Sequence, residues 1–283
     1  MKAKLNGCII EKYDNMASAY TCHRLVQEAL DQGIDLKIVG AQDCFLFNNK
    51  VLNRGLPLEE KDFVINRYKW GNTKDAINAT AGRSYNDLKA FNRFVNKYQQ
   101  MLHLESEGFE KPAYILGNRQ TPFNELESLL GKPFVAKGLE NSMGREVYLI
   151  GSPEDYAQLT EDLGKEWLFE RFIESSCGRD LRLFSIRGQA VACMMRKSNG
   201  DFRANVALGA TTTPVEIDST LRQIADDLWQ QTHLDFIGID LLFGETSYYF
   251  CEINVMPGLE GIESTSHVNI AQKIISTISS DLS

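Results

Sequence analysis

The sequence has no closely spaced cysteine pair, no long apolar run and no excess of positive charge. Its 283 residues include 6 cysteines without a CxxC pair and 4 histidines without the spacing of metal ligands. No run reaches the ~18 apolar residues that a membrane helix requires, and the first residues lack the apolar segment of a signal peptide. The formal net charge of -8 argues against nucleic acid or an anionic membrane as a general partner. We therefore expect a reduced, cytoplasmic protein that binds neither nucleic acid nor a membrane.

The start of the chain predicts a parallel sheet. Apolar strand patterns at residues 5–10 and 34–39 flank a helical pattern at residues 16–31. This β-α-β order implies parallel strands joined by a right-handed crossover. No GxGxxG motif follows the first strand, so the sequence does not indicate a dinucleotide-binding domain. A short helix is predicted at residues 72–82, with Asn72 or Thr73 as its N-terminal cap.

A strand hairpin late in the chain carries the most informative polar residues. Two β-rich runs, Phe236–Phe243 and Tyr248–Asn254, flank a turn-like segment. Antiparallel pairing about that turn brings Asp240 opposite Cys251 or Glu252. The strand period of two places Glu252 and Asn254 on one face. Two carboxylates and one amide oxygen therefore meet among apolar strands.

A cation that prefers oxygen ligands would offset the cost of burying these acids, and Mg²⁺ suits this set best. The alternative is a strand pair with ordinary surface acids, and for Asp240 alone that interpretation is equally good. The following residues 257–261 are rich in glycine, so we expect a flexible loop beside the metal.

The middle of the chain predicts a basic flap. A helix is expected at residues 96–107, with Lys97 in its first turn, and a single strand at residues 109–116. Lys137 ends another strand, and residues 138–145 form a loop of small residues before the next strand. Backbone N–H groups of such a loop can bind phosphate. The loop is not a Walker A motif, and a plain hairpin loop explains these residues better when they are considered alone.

A second hairpin is predicted at residues 180–186 and 190–196. Asp180 and Arg182 share a face of the first strand, and antiparallel pairing brings Arg196 near Asp180. We interpret Asp180 and Arg196 as a surface ion pair.

Three stretches of the second half resemble the ATP-grasp superfamily, and most closely its RimK-type carboxylate–amine ligases. These are residues 251–263, residues 200–205 and residues 177–182. The opening β-α-β unit is similar to the pre-ATP-grasp domain of that superfamily. The resemblance implies an α/β and α+β protein: a parallel pre-ATP-grasp domain at 1–90, then an ATP-grasp domain of two α+β subdomains at 91–283. Within the latter, the lid subdomain covers about 95–169 and the C-terminal subdomain about 170–283.

The resemblance also implies a role for each matching residue. Those assigned to ATP are the phosphate-binding Lys97 and Lys137, the hinge residues Glu170, Arg171 and Phe172 at the adenine, and Asp180 at the ribose. Those assigned both to ATP binding and to catalysis are Arg203 at the transferring phosphoryl group and Asn205 near the acyl phosphate. Those assigned to Mg²⁺, for which Mn²⁺ is a possible substitute, are Asp240, Glu252 and Asn254.

The activity implied by the resemblance is an ATP-dependent, ADP-forming carboxylate–amine ligation through an acyl phosphate. The expected partners are small-molecule carboxylates and amines, with a glutamate-like amino acid joined to a peptide, protein or small acceptor. A homo-oligomer is also expected. Residues 206–210 are apolar or small where many RimK-type enzymes are basic and glycine-rich, which weakens a ribosomal-protein tail as the acceptor. The alternatives are a nucleotide-binding regulatory protein with little turnover, and a kinase that stops at the phosphorylated intermediate.

Overall fold

The structure is a computed structural model that describes residues 4–15, 19–140, 146–159, 162–204 and 209–283. In these ranges the strands form two four-stranded sheets, one six-stranded sheet and one three-stranded sheet. Within the same ranges, no helix combines the length and the apolar character needed to cross a bilayer.

The N-terminal part is a parallel sheet with a small antiparallel sheet beside it. Its elements are β1 (Asn6–Glu11), α1 (Tyr20–Asp31), β2 (Asp35–Gly40), β3 (Cys44–Phe47), β4 (Lys50–Asn53), β5 (Leu56–Pro57), β6 (Lys61–Asn66), α2 (Asn72–Asn78) and β7 (Ala81–Tyr85). The parallel order is β2-β1-β6-β7, which confirms the predicted β-α-β unit. The small sheet β3-β4-β5 was not predicted.

A second layer is the antiparallel sheet β11-β10-β12-β9. The elements of this part of the chain are α3 (Leu88–Phe94), α4 (Lys97–His103), β8 (Phe109–Glu110), β9 (Tyr114–Gly117), α5 (Phe123–Leu130), β10 (Phe134–Gly138), β11 (Val147–Ile150), α6 (Pro153–Ala157) and β12 (Trp167–Arg171). Leu126 of α5 and Tyr156 of α6 pack with Phe134 and Phe169 of the sheet. Helices thus cover one face of this sheet and leave its other face to the cleft described below.

The third layer is the six-stranded sheet β15-β14-β13-β16-β17-β8, which is antiparallel except for the pair β17 and β8. Its remaining elements are β13 (Arg179–Ile186), β14 (Gln189–Lys197), β15 (Thr211–Pro214), α7 (Ser219–Thr232), β16 (Phe236–Phe243), β17 (Tyr248–Asn254), α8 (Glu260–Ser266) and α9 (Ile270–Asp281). Leu221, Ile224 and Leu228 lie at helical spacing on α7 and are buried in the core of this sheet. The predicted division of the chain at residues 90 and 91 stays a prediction.

Three local predictions were wrong. Residues 109–116 do not form one strand, because the chain passes from β8 in one sheet to β9 in another, and Pro112 between them has no N–H for a strand ladder. Neither Asn72 nor Thr73 caps α2, since Gly71 precedes the helix and no side chain caps it. The predicted flexible loop at residues 257–261 ends early, because α8 begins at Glu260.

The C-terminal helices close the core of the N-terminal sheet. Ile274 and Ile278 of α9 pack in one buried cluster with Ile9 of β1 and Leu25 of α1. Phe184 of β13 belongs to the same cluster, so the parallel sheet and the six-stranded sheet share a core. This shared core holds the N-terminal sheet against the loop that follows β17.

An ion cluster reinforces this junction. The Asp281 carboxylate accepts hydrogen bonds from Arg187 Nη1 at 2.7 Å and from the Tyr85 hydroxyl at 2.8 Å. Arg83 Nη1 lies 3.1 Å from the same carboxylate. The hydrogen bond from Arg187 is the main reason that the pKa of Asp281 is lowered to about 2.

We predict that Asp281→Asn lowers the free energy of unfolding by about 1–3 kcal/mol at neutral pH, since hydrogen bonds to a charged group are lost. The pKa of Asp281 is lower in the folded state, so its contribution is complete above pH ~4, the unfolded value, and disappears as the pH falls through about 2. Urea denaturation of both proteins at several pH values measures this. A difference between them that stays constant from pH 6 to pH 2.5 would contradict the assignment.

Candidate active site

A cleft separates the sheet β11-β10-β12-β9 from the six-stranded sheet, and charged side chains from both sheets line it. The described residues that line it include Lys97, Lys137, Glu170, Arg171, Phe172, Asp180, Arg196, Arg203, Asp240 and Glu252. Most of the residues predicted from the sequence therefore meet in one place. Asn254 lies at the edge of this cleft, where a second cavity adjoins it.

The hairpin β16–β17 brings the predicted metal ligands together. Asp240 pairs directly with Glu252, one of the two partners predicted for it, and the register shifts between Asp240 and Leu241. Asn254 Nδ2 lies 3.4 Å from Asp240 Oδ2 and 3.3 Å from Glu252 Oε1. A flipped Asn254 amide would present its oxygen at the same point, because amide oxygen and nitrogen occupy equivalent positions.

Asp240 is also the centre of a buried chain of alternating charges. Arg182 donates to both of its carboxylate oxygens, with Nη2 2.7 Å from Oδ2. Arg196 Nη2 lies 3.0 Å from Asp240 Oδ2, and Arg196 also makes two bonds to Asp180 at 2.6 and 2.7 Å. The prediction of a surface pair was wrong, because Asp180 is 7% exposed and Arg196 is 4% exposed.

The pKa values of the two acids respond differently to this environment. Burial alone would raise the pKa of Asp240, but the guanidinium groups of Arg182 and Arg196 outweigh it and lower the pKa. Burial raises the pKa of Asp180, and Arg196 opposes that shift. Asp240 is thus held ionised although it is buried, which is the state that a metal ligand requires.

Two buried lysines each face a glutamate in the cleft. Lys97 Nζ lies 3.1 Å from Glu252 Oε2, and Lys137 Nζ lies 2.6 Å from Glu170 Oε2. The Asn96 side chain caps α4 and so places Lys97 at the first helical position, as predicted. Burial alone would lower the pKa of Lys137, but Cys251 and Glu170 reverse this and raise it. Lys137 is therefore held charged, and both lysines line the cleft.

The end of β12 forms the floor of the cleft. Glu170 Oε1 is buried and has no hydrogen-bond partner among the described residues. Phe172 and Phe202 meet edge to face, with centroids 6.4 Å apart. Arg171 turns its Nε to the carbonyl oxygen of Leu130, at 3.3 Å, and so points away from the lysines.

Arg203 reaches the cleft from the opposite side. Its Nε and Nη2 bind the Asp201 carboxylate at 3.0 and 2.7 Å, and this carboxylate holds the guanidinium beside the cleft. Asn205, and residues 141–145 of the predicted flap, lie outside the described residues. The predicted roles of all these residues stay predictions.

The residues present fit a nucleotide with a divalent cation. An unpaired buried carboxylate oxygen and an aromatic pair could receive a base, and two lysines and Arg203 could receive phosphates. Two carboxylates and an amide oxygen suit Mg²⁺. No cluster of three or more His, Cys, Asp or Glu side chains in the described ranges offers a competing metal site. All six cysteines are free thiols, and four of them are buried.

Sequence reasoning missed Arg182 and Arg196 as residues of the site. Strand alternation placed Arg182 near Asp180, and antiparallel pairing placed Arg196 there, but no local pattern shows that this part of the hairpin lines a cleft. It also missed the second cavity, which Arg67 and Lys69 of the N-terminal part line together with β17. Contacts between such distant segments leave no spacing signal in the sequence.

Two mixed α/β layers around a charged cleft, preceded by a parallel sheet, define the ATP-grasp class of fold. The profile of the RimK-like ATP-grasp domain matches residues 95–278. The chain therefore belongs to the RimK-like ATP-grasp family, a family of carbon–nitrogen ligases.

Known proteins are similar over nearly the whole chain. A probable alpha-L-glutamate ligase of Legionella pneumophila (strain Corby) is 32% identical, covering 92% of this chain and 91% of that protein. The ATP-grasp ligase PsnB, solved with a minimal precursor, Mg and ADP, has a TM-score of 0.73 at 14% identity and covers 100% of both chains. The D-cycloserine synthetase DcsG has a TM-score of 0.76 at 13% identity, covering 98% of this chain and 100% of that one.

We predict that Arg196→Ala lowers the free energy of unfolding by about 3–5 kcal/mol, because it leaves Asp180 and Asp240 buried without their shared cation. The matched control is Lys197→Ala, since Lys197 is the next residue on β14 and is exposed. Chemical denaturation of the three proteins measures the effect. A loss below 1 kcal/mol in Arg196→Ala would contradict the described ion chain.

Proposed function

We propose that this protein is an ATP-dependent, ADP-forming carboxylate–amine ligase that works through an acyl phosphate. The observation that supports this best is the meeting of Lys97 and Lys137 with Asp240, Glu252 and Asn254 in one cleft. A site for phosphates and a site for a hard cation adjoin there, which is the arrangement that phosphoryl transfer requires.

In this proposal each side of the cleft binds one part of ATP. Lys97 and Lys137 exchange their glutamate partners for phosphate oxygens, which compact ammonium groups suit well. The end of β12, with Glu170, receives the adenine, and Asp180 receives the ribose hydroxyls. A carboxylate bound to Arg196 can still accept these bonds, since each oxygen has two acceptor positions.

Asp240, Glu252 and Asn254 would hold Mg²⁺, with Mn²⁺ as a possible substitute. When bound, the cation would neutralise charge on the phosphate oxygens. Arg182 and Arg196 keep Asp240 ionised and fixed in position for this role. The solved complex of PsnB with Mg and ADP supports this proposal at the level of the shared fold.

The chemistry follows from the weakness of a carboxylate as an electrophile. A substrate carboxylate oxygen attacks the γ-phosphorus of ATP, the bond to the bridging oxygen breaks, and ADP leaves. An amine then attacks the carbonyl carbon of the acyl phosphate, loses a proton, and displaces inorganic phosphate to leave an amide. Lys137 and Arg203 stabilise the charge that develops on the transferring group, and Asn205 lies next to Arg203 in sequence.

We propose an amino acid of the glutamate type as one substrate, since the similar curated proteins are named probable alpha-L-glutamate ligases. The acceptor is a peptide, a protein or a small molecule, and the homo-oligomeric and cytoplasmic states expected from the sequence stay predictions. The cavity beside Asn254 has a volume of about 580 Å³, which is large enough for an amino acid with part of an acceptor.

The deciding experiment measures ADP release with MgATP and L-glutamate, with and without added peptides, and identifies products by mass spectrometry. We expect one new amide per ADP. ADP with an acyl phosphate trapped by hydroxylamine, but no amide with any amine, would indicate a kinase. Tight ATP binding with no ADP under every condition would favour a regulatory binder.

We predict that Glu252→Gln lowers kcat at least a hundredfold at saturating ATP, because the cation loses a charged ligand and Lys97 loses its ion pair with Glu252. The control is Glu245→Gln, in the turn between β16 and β17. Titrating Mg²⁺ in the ADP-release assay checks this. Glu252→Gln with an unchanged Mg²⁺ requirement and normal kcat would remove Glu252 from the metal site.

A further inference from the structure

The second cavity joins the N-terminal sheet to the cleft. It follows the carboxyl end of β6, the edge of a parallel sheet where ligands bind most often. Arg67 and Lys69 line it from that side, and Asn254 lines it from β17. Lys97, Arg196 and Glu252 line both this cavity and the nucleotide cleft. A substrate bound here would therefore lie next to the transferring phosphate.

Most cations that line this cavity already have a carboxylate partner. Arg67 Nε lies 3.1 Å from Glu11 Oε1, and Lys97 Nζ lies 3.1 Å from Glu252 Oε2. Arg182 and Arg196 share Asp240. Their charges are balanced before any substrate arrives.

Lys69 differs from these residues. Within the described part of the chain, no carboxylate oxygen lies within 4.0 Å of its ammonium group. The Nζ atom lies 4.6 Å from the ring centroid of Trp70, which holds it in place without balancing its charge. Burial lowers the pKa of Lys69, and Lys97 lowers it further, while Glu140 and Glu252 act against this. An anion in the cavity would stabilise this lysine.

We propose that Lys69 binds a substrate carboxylate that does not itself react, and so selects substrates with a second carboxylate. This inference rests on the proposed function, because it takes the cavity to be the place where the ligase binds its acid or its amine. The reacting carboxylate must reach the phosphate beside Lys97, and Lys69 holds a different one. The recognised group belongs either to the activated acid or to the amino acid that supplies the amine.

The test is a calorimetric titration of L-glutamate, L-aspartate and glutarate into the protein saturated with MgADP. We compare wild type with Lys69→Met, Lys69→Arg and the control Lys37→Met, whose side chain is 63% exposed. We expect Lys69→Met to weaken the binding of the preferred dicarboxylate about tenfold, which equals ~1.4 kcal/mol. Lys69→Arg retains most of the affinity, Lys37→Met retains all of it, and MgADP affinity changes less than twofold in every variant.

Amidated ligands identify the carboxylate that Lys69 recognises. Glutamine lacks the side-chain carboxylate and isoglutamine lacks the α-carboxylate. The analogue that lacks the recognised carboxylate should bind wild type as weakly as glutamate binds Lys69→Met. Its affinity for Lys69→Met should be the same as its affinity for wild type. Steady-state assays of Lys69→Met then measure KM for each substrate. We expect KM to rise for one substrate while kcat changes less than threefold, and that substrate, the acid or the amine, is the one that Lys69 binds.

Several outcomes would overturn the inference. These are equal affinity of wild type and Lys69→Met for the dicarboxylates, no binding of any of them to wild type, or an equal loss with Lys37→Met. The titration needs no turnover, so its result is independent of the proposed ligase activity. Lys69-dependent binding without ADP release would contradict the proposed ligase activity and support the role of Lys69. ADP release with an unchanged KM in Lys69→Met would support the ligase activity and contradict the role of Lys69.

Discussion

The chain of charges from Asp180 through Arg196 and Asp240 to Arg182 is the constraint on which the rest of the site depends. Each guanidinium offsets the desolvation of the acids beside it, and each carboxylate orients the next guanidinium. The chain runs across β13, β14 and β16, so it can form only when these strands hold the correct register. The strand register of the sheet therefore determines both the burial of Asp240 and its ionised state.

Cation and anion alternate throughout the cleft in the same way. Lys97 pairs with Glu252 and Lys137 pairs with Glu170, and each pair bridges elements that are distant in sequence. Under the proposed function, these pairs hold the cleft lysines in place before a nucleotide binds, and phosphate then replaces the glutamates as their partner. Nucleotide binding in this proposal exchanges one set of ion pairs for another, which limits the cost of burying phosphate charge.

The sequence predicted well what depends on short spacing. Counting outward from the turn at residues 244–247 placed Asp240 opposite Cys251 or Glu252, of which the structure shows Glu252, and the RimK-like motifs indicated the family that the comparisons show. Burial that depends on contacts between separate layers of the fold was not predictable from the sequence. Asp180 and Arg196 look like surface residues in the sequence, but in the fold they are buried where they line the cleft. Lys69 has no local signature at all, because its surroundings come from α4, β17 and the loop after β6.

The packing of α9 against β1 and α1 has a consequence for how the protein is made. The core of the parallel sheet draws its side chains from opposite ends of the sequence, with Ile9 and Leu25 at one end and Ile274 and Ile278 at the other. A chain emerging from the ribosome therefore carries an incompletely covered N-terminal sheet until α9 has been synthesised. Such high contact order slows folding and prolongs the exposure of apolar strands. The second cavity needs side chains from the N-terminal sheet and from β17. It is therefore completed late in biosynthesis, well after Arg67 and Lys69 have been translated.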